Sequence, residues 1–541
     1  MNKPFAITLD VGTSLANKTG SWRTERPVYV DRLPPCNHAC AAGENIQQWL
    51  YLAEEGNYEA AWRQIMRDNP MPATMGRVCY HPCEGACNRG QLDSAVGIHA
   101  IERFLGDLAI ERGWKVAPNA TASGKRVLIV GAGPSGLSCA YHLRLAGHDC
   151  TLMDAGPMPG GMMRFGIPKY RLPREILDAE IKRIEDMGVK IVLNSKVSDL
   201  AATMKQGAYD AVFLAVGAHL AKRAYLPAGD ASRILDALSL LRGLESGEQP
   251  LLGRRVLVYG GGNTAMDVAR SAKRLGAAET IVVYRRTREK MPAHDFEVQE
   301  AMDEGVMFKW LSTIKAEAEG EFTVEKMALD AKGMPQPTGE FETMKADSLV
   351  LALGQDVDLS FLEHVQGLVV KSGVVEVGPD MMTGCRGVFA GGDMVPADRT
   401  VTVAIGHGKK AARNIDAYLR GGSYAPPAKH ELASFDKLNT WYYSDASPTM
   451  QPVLERARRE STFDEVVGGL DESNALFEAR RCLSCGNCFE CDNCYGVCPD
   501  NAVIKLGPGN RFRFNYDYCK GCGLCAEECP CGAIRMEPET I

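Results

Sequence analysis

The sequence predicts a multidomain α/β protein, with two doubly wound units in its middle and a cysteine-rich segment at each end. Three observations predict it. The apolar pattern KRVLIV from Lys125 runs directly into GAGPSG, RRVLVY from Arg254 runs into GGGNTA, and the ladder CxxCxxCxxxCP occurs twice near the C-terminus. A strand that feeds a glycine-rich turn and then a helix opens a βαβ unit, so each of the first two patterns predicts a Rossmann-like dinucleotide-binding domain.

The ladders stand at Cys488, Cys491, Cys494, Cys498-Pro499 and at Cys519, Cys522, Cys525, Cys529-Pro530. This spacing suits two [4Fe-4S] clusters, each held by three thiolates of one run and the fourth cysteine of the other. The expected sets are Cys488, Cys491, Cys494, Cys529 and Cys519, Cys522, Cys525, Cys498, within a bacterial ferredoxin-like α+β domain over residues 481–541. Structural zinc or disulfides, the competing reading, call for longer separations between CxxC pairs or an oxidising compartment. Cys482 and Cys485 continue the three-residue step upstream, but only Cys488, Cys491 and Cys494 stand at the right distance from Cys498. Cys482, Cys485 and Cys531 are therefore surplus to the eight ligands, spare or structural.

At 541 residues the chain exceeds one core and divides into several domains. Linker-like APNATASG before Lys125 and GGSYAPPAKH from Gly421 suggest the division. It gives a helical iron-sulfur domain over 1–123, one nucleotide domain over 124–240 and 372–420, a second over 241–371, a linker over 421–480, and the tail. Helical stripes such as Ile46, Trp49, Leu50 and Ala53 read as core of the first. A net charge of -7 argues against nucleic acid or an anionic membrane as partner. MNKPFAITLDVGTS has no long apolar stretch, and no run reaches the length of a membrane span. Nineteen cysteines then suit a reducing cytoplasm if most are metal ligands.

In GAGPSG, Gly131 permits the tight turn, Gly133 lets a pyrophosphate approach bare backbone, and Gly136 lets helix pack on strand; Pro134 and Ser135 open that helix. Asp154, ending the strand CTLM, stands where a carboxylate accepts from ribose hydroxyls. GGGNTA repeats the logic with Gly260, Gly262, Asn263 and Thr264. Its second strand, TIVVY, ends in Arg285 and Arg286, where an NAD site more often places an acid. Paired guanidiniums suit a 2′-phosphate and favour NADP, with NAD and a merely solvated strand end left open. Further on, GVFAGGD ends a short strand in Gly392 and Asp393, a carboxylate suited to a flavin ribityl hydroxyl or to a simple turn.

These motifs together resemble two-dinucleotide-domain flavoproteins, in which the FAD domain is split in sequence by the NAD(P) domain. GGMMRFGIPKYRLP from Gly160, GGGNTAMD, YRRTREKMPA and GVFAGGD are similar to the glutamate synthase small-subunit family, over roughly residues 35–418. The resemblance implies FAD at Gly131 and NAD(P)H at Gly260, further FAD contacts at Gly161 and Arg164, and a helix beginning at Thr400 and Val401 aimed at the isoalloxazine. It also implies a [4Fe-4S] cluster on Cys40, Cys79 and Cys83 with a non-cysteine ligand near Glu102; an all-cysteine set using Cys87 competes. The family's CxxC upstream of Cys36 is missing, since residues 23–35 read RTERPVYVDRLPP. Five cysteines remain where two clusters need about eight. One N-terminal cluster is thus expected, with Cys36 and Cys87 as remnants of a lost site.

A hydride carries two electrons and a cluster accepts one, so FAD is the converter the set requires. No acid-base dyad is expected, and His81, His99 and His407 read as structural. The expected function is NAD(P)H:acceptor oxidoreductase chemistry in a hetero-oligomer. The partner would be a ferredoxin or a 2-oxoacid oxidoreductase-type complex. A glutamate synthase small subunit feeding another chain, and a zinc-bound assembly subunit without electron flow, are the alternatives.

Overall fold

The computed structural model describes residues 18–118, 120–222 and 233–539; residues 1–17, on which the expectation of no targeting segment rests, lie outside them. Two five-stranded parallel sheets form the centre. The first runs Val388–Ala390, Ala211–Leu214, Arg126–Val130, Asp149–Met153, Lys190–Val192. Val127, Leu128 and Ile129 sit between Ala211–Phe213 on one side and Cys150–Leu152 on the other, and all three are fully buried. Burial on both faces is what an unbroken apolar run in a parallel sheet predicts. The edge strand Val388–Ala390 arrives from far downstream, so this unit is split in sequence as expected. Helix Pro134–Leu145 packs on helix Val401–Leu419, where Ser138 Oγ donates to the Ile405 carbonyl at 2.8 Å. Contact is that close because Gly408 lacks a side chain: a Cβ there would lie 2.3 Å from the Ser135 carbonyl oxygen.

The second sheet runs Met307–Lys309, Glu279–Val283, Arg255–Tyr259, Ser348–Leu351, Arg233–Asp236. The expected boundary at residue 240 is displaced by this pairing. Arg233–Asp236 lies parallel to Ser348–Leu351, and helix Ala237–Glu245 buries Leu240 and Leu241 in the second unit's core. A short strand with polar ends, RILD, carries too little periodicity to be seen from sequence. A three-stranded antiparallel sheet, Ser312–Ala318, Glu321–Leu329 and Pro335–Lys345, is inserted before Ser348–Leu351.

Residues near the start and the finish of the described chain pair with one another, which corrects two further expectations. Glu25–Tyr29 is a strand, paired antiparallel with Ile534–Pro538, so residues assigned to the N-terminal helical domain complete the tail domain. The segment 421–480 is more than a linker. Its helix Glu472–Ala479 buries Ala475 and Ala479 and packs against helices Ile46–Glu54 and Ile98–Glu111. Arg481, almost fully buried, pairs with Glu478 at 2.5 Å and Asp93 at 3.3 Å and donates to the carbonyls of Ser94 and Ala95. A buried guanidinium satisfied in this way fixes the approach of Cys482.

Candidate functional site

An open cleft of about 1310 Å³ lies at the carboxyl ends of the first sheet, where the Gly131 turn meets the second unit. Gly131, Gly133, Pro134, Ser135, Asp154 and Gly161 line one side; Gly392, Asp393, Thr400 and Val401 line another; Gly262, Asn263 and Thr264 close the third. Gly131 adopts φ +110°, and a Cβ there would lie 2.3 Å from the Ala215 carbonyl oxygen. Gly136 does not face the cleft; its missing Cβ leaves room for the Gly131 carbonyl, 2.0 Å from where that atom would be. A Cβ on Gly161 would lie 2.7 Å from Gly133 Cα, so the two loops nearly touch where a pyrophosphate would lie against bare backbone. Ser135 Oγ is buried without a hydrogen-bond partner among the described residues. Burial raises the Asp393 carboxyl. Both Asp154 oxygens already accept backbone N–H groups, from Ala132 at 2.6 Å and Gly156 at 2.7 Å, so this acid first shapes its own turn.

Arg164 is placed otherwise than a flavin contact requires. Its guanidinium is buried, donates to the Pro159 carbonyl at 2.6 Å, pairs with Asp178 and stands 3.5 Å from Glu245. It ties the first unit to the second and does not line the cleft. Arg171 does line it, and pairs with Asp267 at 2.9 Å and Glu297 at 2.5 Å across the same junction. Asn263 is clamped as well: its amide donates to the Tyr80 hydroxyl at 2.8 Å and its carbonyl accepts from His294 N at 3.0 Å. Tyr80 in turn stacks on His294 at 3.8 Å. Sequence reasoning missed Val78, Tyr80, His219, Gln355 and Arg399, all in the cleft wall. Only Gln355, in the LGQ following a strand, had a local signal.

A second cleft of about 1220 Å³ shares Gly262, Thr264, Pro292 and Gln355 with the first. Gly260, Arg285, Arg286 and Lys290 line it, and neither Arg285 nor Arg286 pairs with a carboxylate among the described residues.

On the N-terminal side, Cys40, Cys79, Cys83 and Glu102 lie close enough to act on one another electrostatically. Burial raises each of the three thiols, Cys79 to about 12, and raises Glu102 as well; a bound metal would reverse that preference. Glu102 is held by Asn69 Nδ2 at 2.7 Å. Cys79 receives His81 N at 3.4 Å and the Thr402 hydroxyl at 3.1 Å. Thr402 belongs to the helix whose first residue, Val401, lines the first cleft, and Val78 and Tyr80 flank Cys79 in the cleft wall. His99 bonds Glu84 and Gln451 at 2.8 Å each, His81 stacks on it at 3.9 Å, and His407 accepts from Gly392 N at 3.2 Å.

In the tail, Cys498, Cys519, Cys522 and Cys525 line one cavity of about 340 Å³. Cys488, Cys491, Cys494 and Cys529 form the other group, each of the first three raised mainly by burial and then by its neighbours. The surplus Cys531 is fully buried beside Cys529, 3.7 Å between sulfurs, and its hydrogen bond draws Cys529 down to about 7. Tyr29, from the N-terminal strand, places its hydroxyl 3.3 Å from Cys494 Sγ. Glu490 and Asp492 hold the left-handed backbone positions that Gly521 and Gly523 hold in the second ladder. Glu490 offsets that strain by accepting from Gly509 N and Arg511 N.

Residues 108–408 match the pyridine nucleotide-disulphide oxidoreductase family. The chain belongs to this family. Residues 20–114 match dihydropyrimidine dehydrogenase domain II, 4Fe-4S cluster, and residues 512–535 match the 4Fe-4S binding domain. The NADP(+)-dependent formate dehydrogenase subunit beta of Moorella thermoacetica is 38% identical over 499 residues, 83% of this chain and 70% of that one. The NADPH-Fe(3+) oxidoreductase subunit beta of Geobacter sulfurreducens is 35% identical over 515 residues, 84% and 76%. The glutamate synthase [NADPH] small chain of Escherichia coli is 34% identical over 418 residues, 71% and 89%.

As a member of the family, this oxidoreductase uses FAD and NAD(P)H together with [4Fe-4S] clusters. The first cleft fits the flavin dinucleotide, since its glycines leave the backbone bare and the Ser135 hydroxyl is buried with nothing to bond. The Thr402 contact makes a testable statement about the N-terminal cluster. Were Cys79 a ligand, a hydroxyl donating to its sulfur would favour the reduced cluster. In Thr402→Val the reduction potential of that cluster, followed by EPR-monitored titration, is expected to fall; an unchanged potential would remove the hydrogen bond from the account.

Proposed function

We propose that this chain is the NADPH-linked arm of a larger redox complex, with a partner redox protein docking against its two-cluster tail. Bound in their sites, FAD would exchange two electrons with the nicotinamide as hydride, and the clusters would carry electrons singly. The chain's own residues bind, orient and exclude water. Arg285 and Arg286, with Lys290 beside them, supply cations for a 2′-phosphate. Gly131, Gly133 and Ser135 cradle the flavin pyrophosphate, and the N-terminus of helix Val401–Leu419 presents its positive end to the cleft. Cys40, Cys79, Cys83 and Glu102 would hold the N-terminal cluster, and the two cross-ladder sets the tail clusters.

One observation carries the reading: Val78 and Tyr80, on either side of Cys79, are part of the flavin cleft wall, so hydride and single-electron chemistry share a partition. The relatives named as beta subunits of an NADP(+)-dependent formate dehydrogenase and of an NADPH-Fe(3+) oxidoreductase support a partner of this kind. A glutamate synthase small chain is the second reading, and 89% of such a chain aligns with this one. The tail clusters favour the first, since a flavin-to-flavin relay does not need them. A cytoplasmic location is part of the proposal; among the described residues no helix is long and apolar enough to cross a membrane.

The test is purification of the native complex, followed by assay with NADPH and NADH against a ferredoxin-type acceptor, formate and 2-oxo acids. Co-purification of a redox subunit with NADPH-linked turnover supports the proposal; a glutaminase-bearing partner that forms glutamate would replace it. For nucleotide choice, Arg285→Glu is expected to raise KM for NADPH by on the order of tenfold, the factor that about 1.4 kcal/mol of lost pairing produces, and to change KM for NADH little. Equal changes would remove the argument for a 2′-phosphate contact at Arg285.

A further inference from the structure

Four cysteines that the sequence leaves unassigned meet in the fold. Cys36 and Cys87 from the N-terminal domain, and Cys482 and Cys485 from the start of the tail, line a single cavity of about 350 Å³. We propose that this cavity holds a further [4Fe-4S] cluster, ligated by Cys36, Cys87, Cys482 and Cys485, half from each end of the chain. The inference stands on these thiols alone and does not depend on the partner named above.

Three observations support it. The volume matches the cavity of about 340 Å³ that Cys498, Cys519, Cys522 and Cys525 form in the tail. The thiols are spread for a cube and not gathered for an ion: among the described residues only His81, Glu84 and His99 bring three ligand atoms within 4.8 Å of one another. Zinc, bonded at about 2.3 Å, would need its four sulfurs about 3.8 Å apart. The N–H donors are also those of the other sites. Ser484 N lies 3.4 Å from Cys482 Sγ, the same two-residue offset as His81 N on Cys79, and Asn88 Nδ2 lies 3.4 Å from Cys485 Sγ.

The scaffold around the four is built from both ends. Arg32 N donates to the Gly486 carbonyl at 3.0 Å, and Gly486 at φ +74° lets the turn after Cys485 lie against Arg32, where a Cβ would stand 2.5 Å from the Arg32 Cβ. Asn88, next to Cys87, also donates to the Ala433 carbonyl at 2.8 Å. Cys482 and Cys485 thus stand in the same cavity as Cys36 and Cys87. The position is informative too. Cys485 is three residues from Cys488, so their Cα atoms are at most about 11 Å apart. Cys36 is joined to Cys40 by a single helical turn, with Cys40 N on the Cys36 carbonyl at 3.1 Å. The site therefore lies close to the cysteines expected to hold the N-terminal cluster and to those of the first ladder.

Iron and acid-labile sulfide in the anaerobically purified full-length protein decide the matter, at about 16 iron per chain with this cluster against about 12 without it. The double variant Cys482→Ser/Cys485→Ser is expected to lose about 4 iron and one low-temperature EPR signal while keeping FAD and the other signals. Cys36→Ser, at the other end of the chain, is expected to lose the same signal, and Cys385→Ser none. A wild-type content of about 12 iron overturns the proposal whether or not the variants fold, as does one zinc per chain that disappears with Cys482 and Cys485.

Discussion

Gly131→Val is expected to yield protein that retains its iron but has lost its flavin absorbance. The residue holds φ +110°, where a β-branched side chain is a severe outlier, and the new Cβ would lie 2.3 Å from the Ala215 carbonyl oxygen and 2.7 Å from its carbon. Both atoms are backbone at the end of the buried strand Ala211–Leu214, so they have nowhere to go. The turn itself must move, and it is the wall on which the dinucleotide would rest. Strained backbone alone costs about 1–2 kcal/mol. With the overlap added, flavin occupancy should fall by more than about tenfold, the effect of about 1.4 kcal/mol. Gly124→Ala is the control, since Gly124 also has positive φ (+69°) but nothing within 4 Å of its missing Cβ. Flavin content by absorbance against iron content checks both, and wild-type flavin in Gly131→Val would sink the assignment of this turn.

Glu304→Ala is expected to destabilise the second nucleotide unit by about 3–5 kcal/mol, the cost of orphaning a buried ion pair. The fully buried carboxylate accepts from Arg270 at 2.7 and 3.0 Å, from Arg274 at 2.6 and 3.0 Å, and from Arg459 of the 421–480 segment at 3.2 Å. Arg270 and Arg274 have no water to turn to, packed as they are over the Tyr170 ring at 4.7 and 3.8 Å. Amide hydrogen exchange would register the loss as weakened protection across Asn263–Arg274, the helix whose Arg270 and Arg274 this carboxylate holds. The pH dependence follows. Burial alone would raise this carboxyl, but the hydrogen bonds from Arg274 and Arg270 outweigh it and hold it down to about 2, against an ordinary 4.5. A depressed folded value contributes stability that is present above pH 4.5 and lost as pH falls towards 2, about 3 kcal/mol in all. Glu304→Gln should flatten that part of the acid profile; an unchanged profile would show that Glu304 is not the group responsible.

Local patterns were legible wherever one element carries the whole message. The turn of GAGPSG is legible because turn, helix start and close packing all lie within six consecutive residues, and Gly131 and Gly136 meet the close approaches their positions imply. The placing of Cys498 beside Cys519, Cys522 and Cys525 is legible for the same reason, since CxxxCP sets the register within a single turn. Arg164 shows the limit of such reading. Its neighbours GGMMRFG place Gly161 in the cleft, but its own direction is set by Asp178 and Glu245, which belong to other helices. Tyr80 carried no signal either, because its role depends on His294 and Asn263 from another domain.

The cysteines divide along the same line. By itself the sequence determined that the chain holds two nucleotide folds and two ladders, because period, turn chemistry and ligand spacing are properties of a few neighbouring residues. Only the tertiary structure decided where Cys36, Cys87, Cys482 and Cys485 stand. Their meeting depends on strand Glu25–Tyr29 pairing with Ile534–Pro538 and on Arg481 being satisfied by residues around Asp93. Contacts between the two ends of a chain leave no period to read, since each end buries its apolar face and bonds its polar groups only when the other is present.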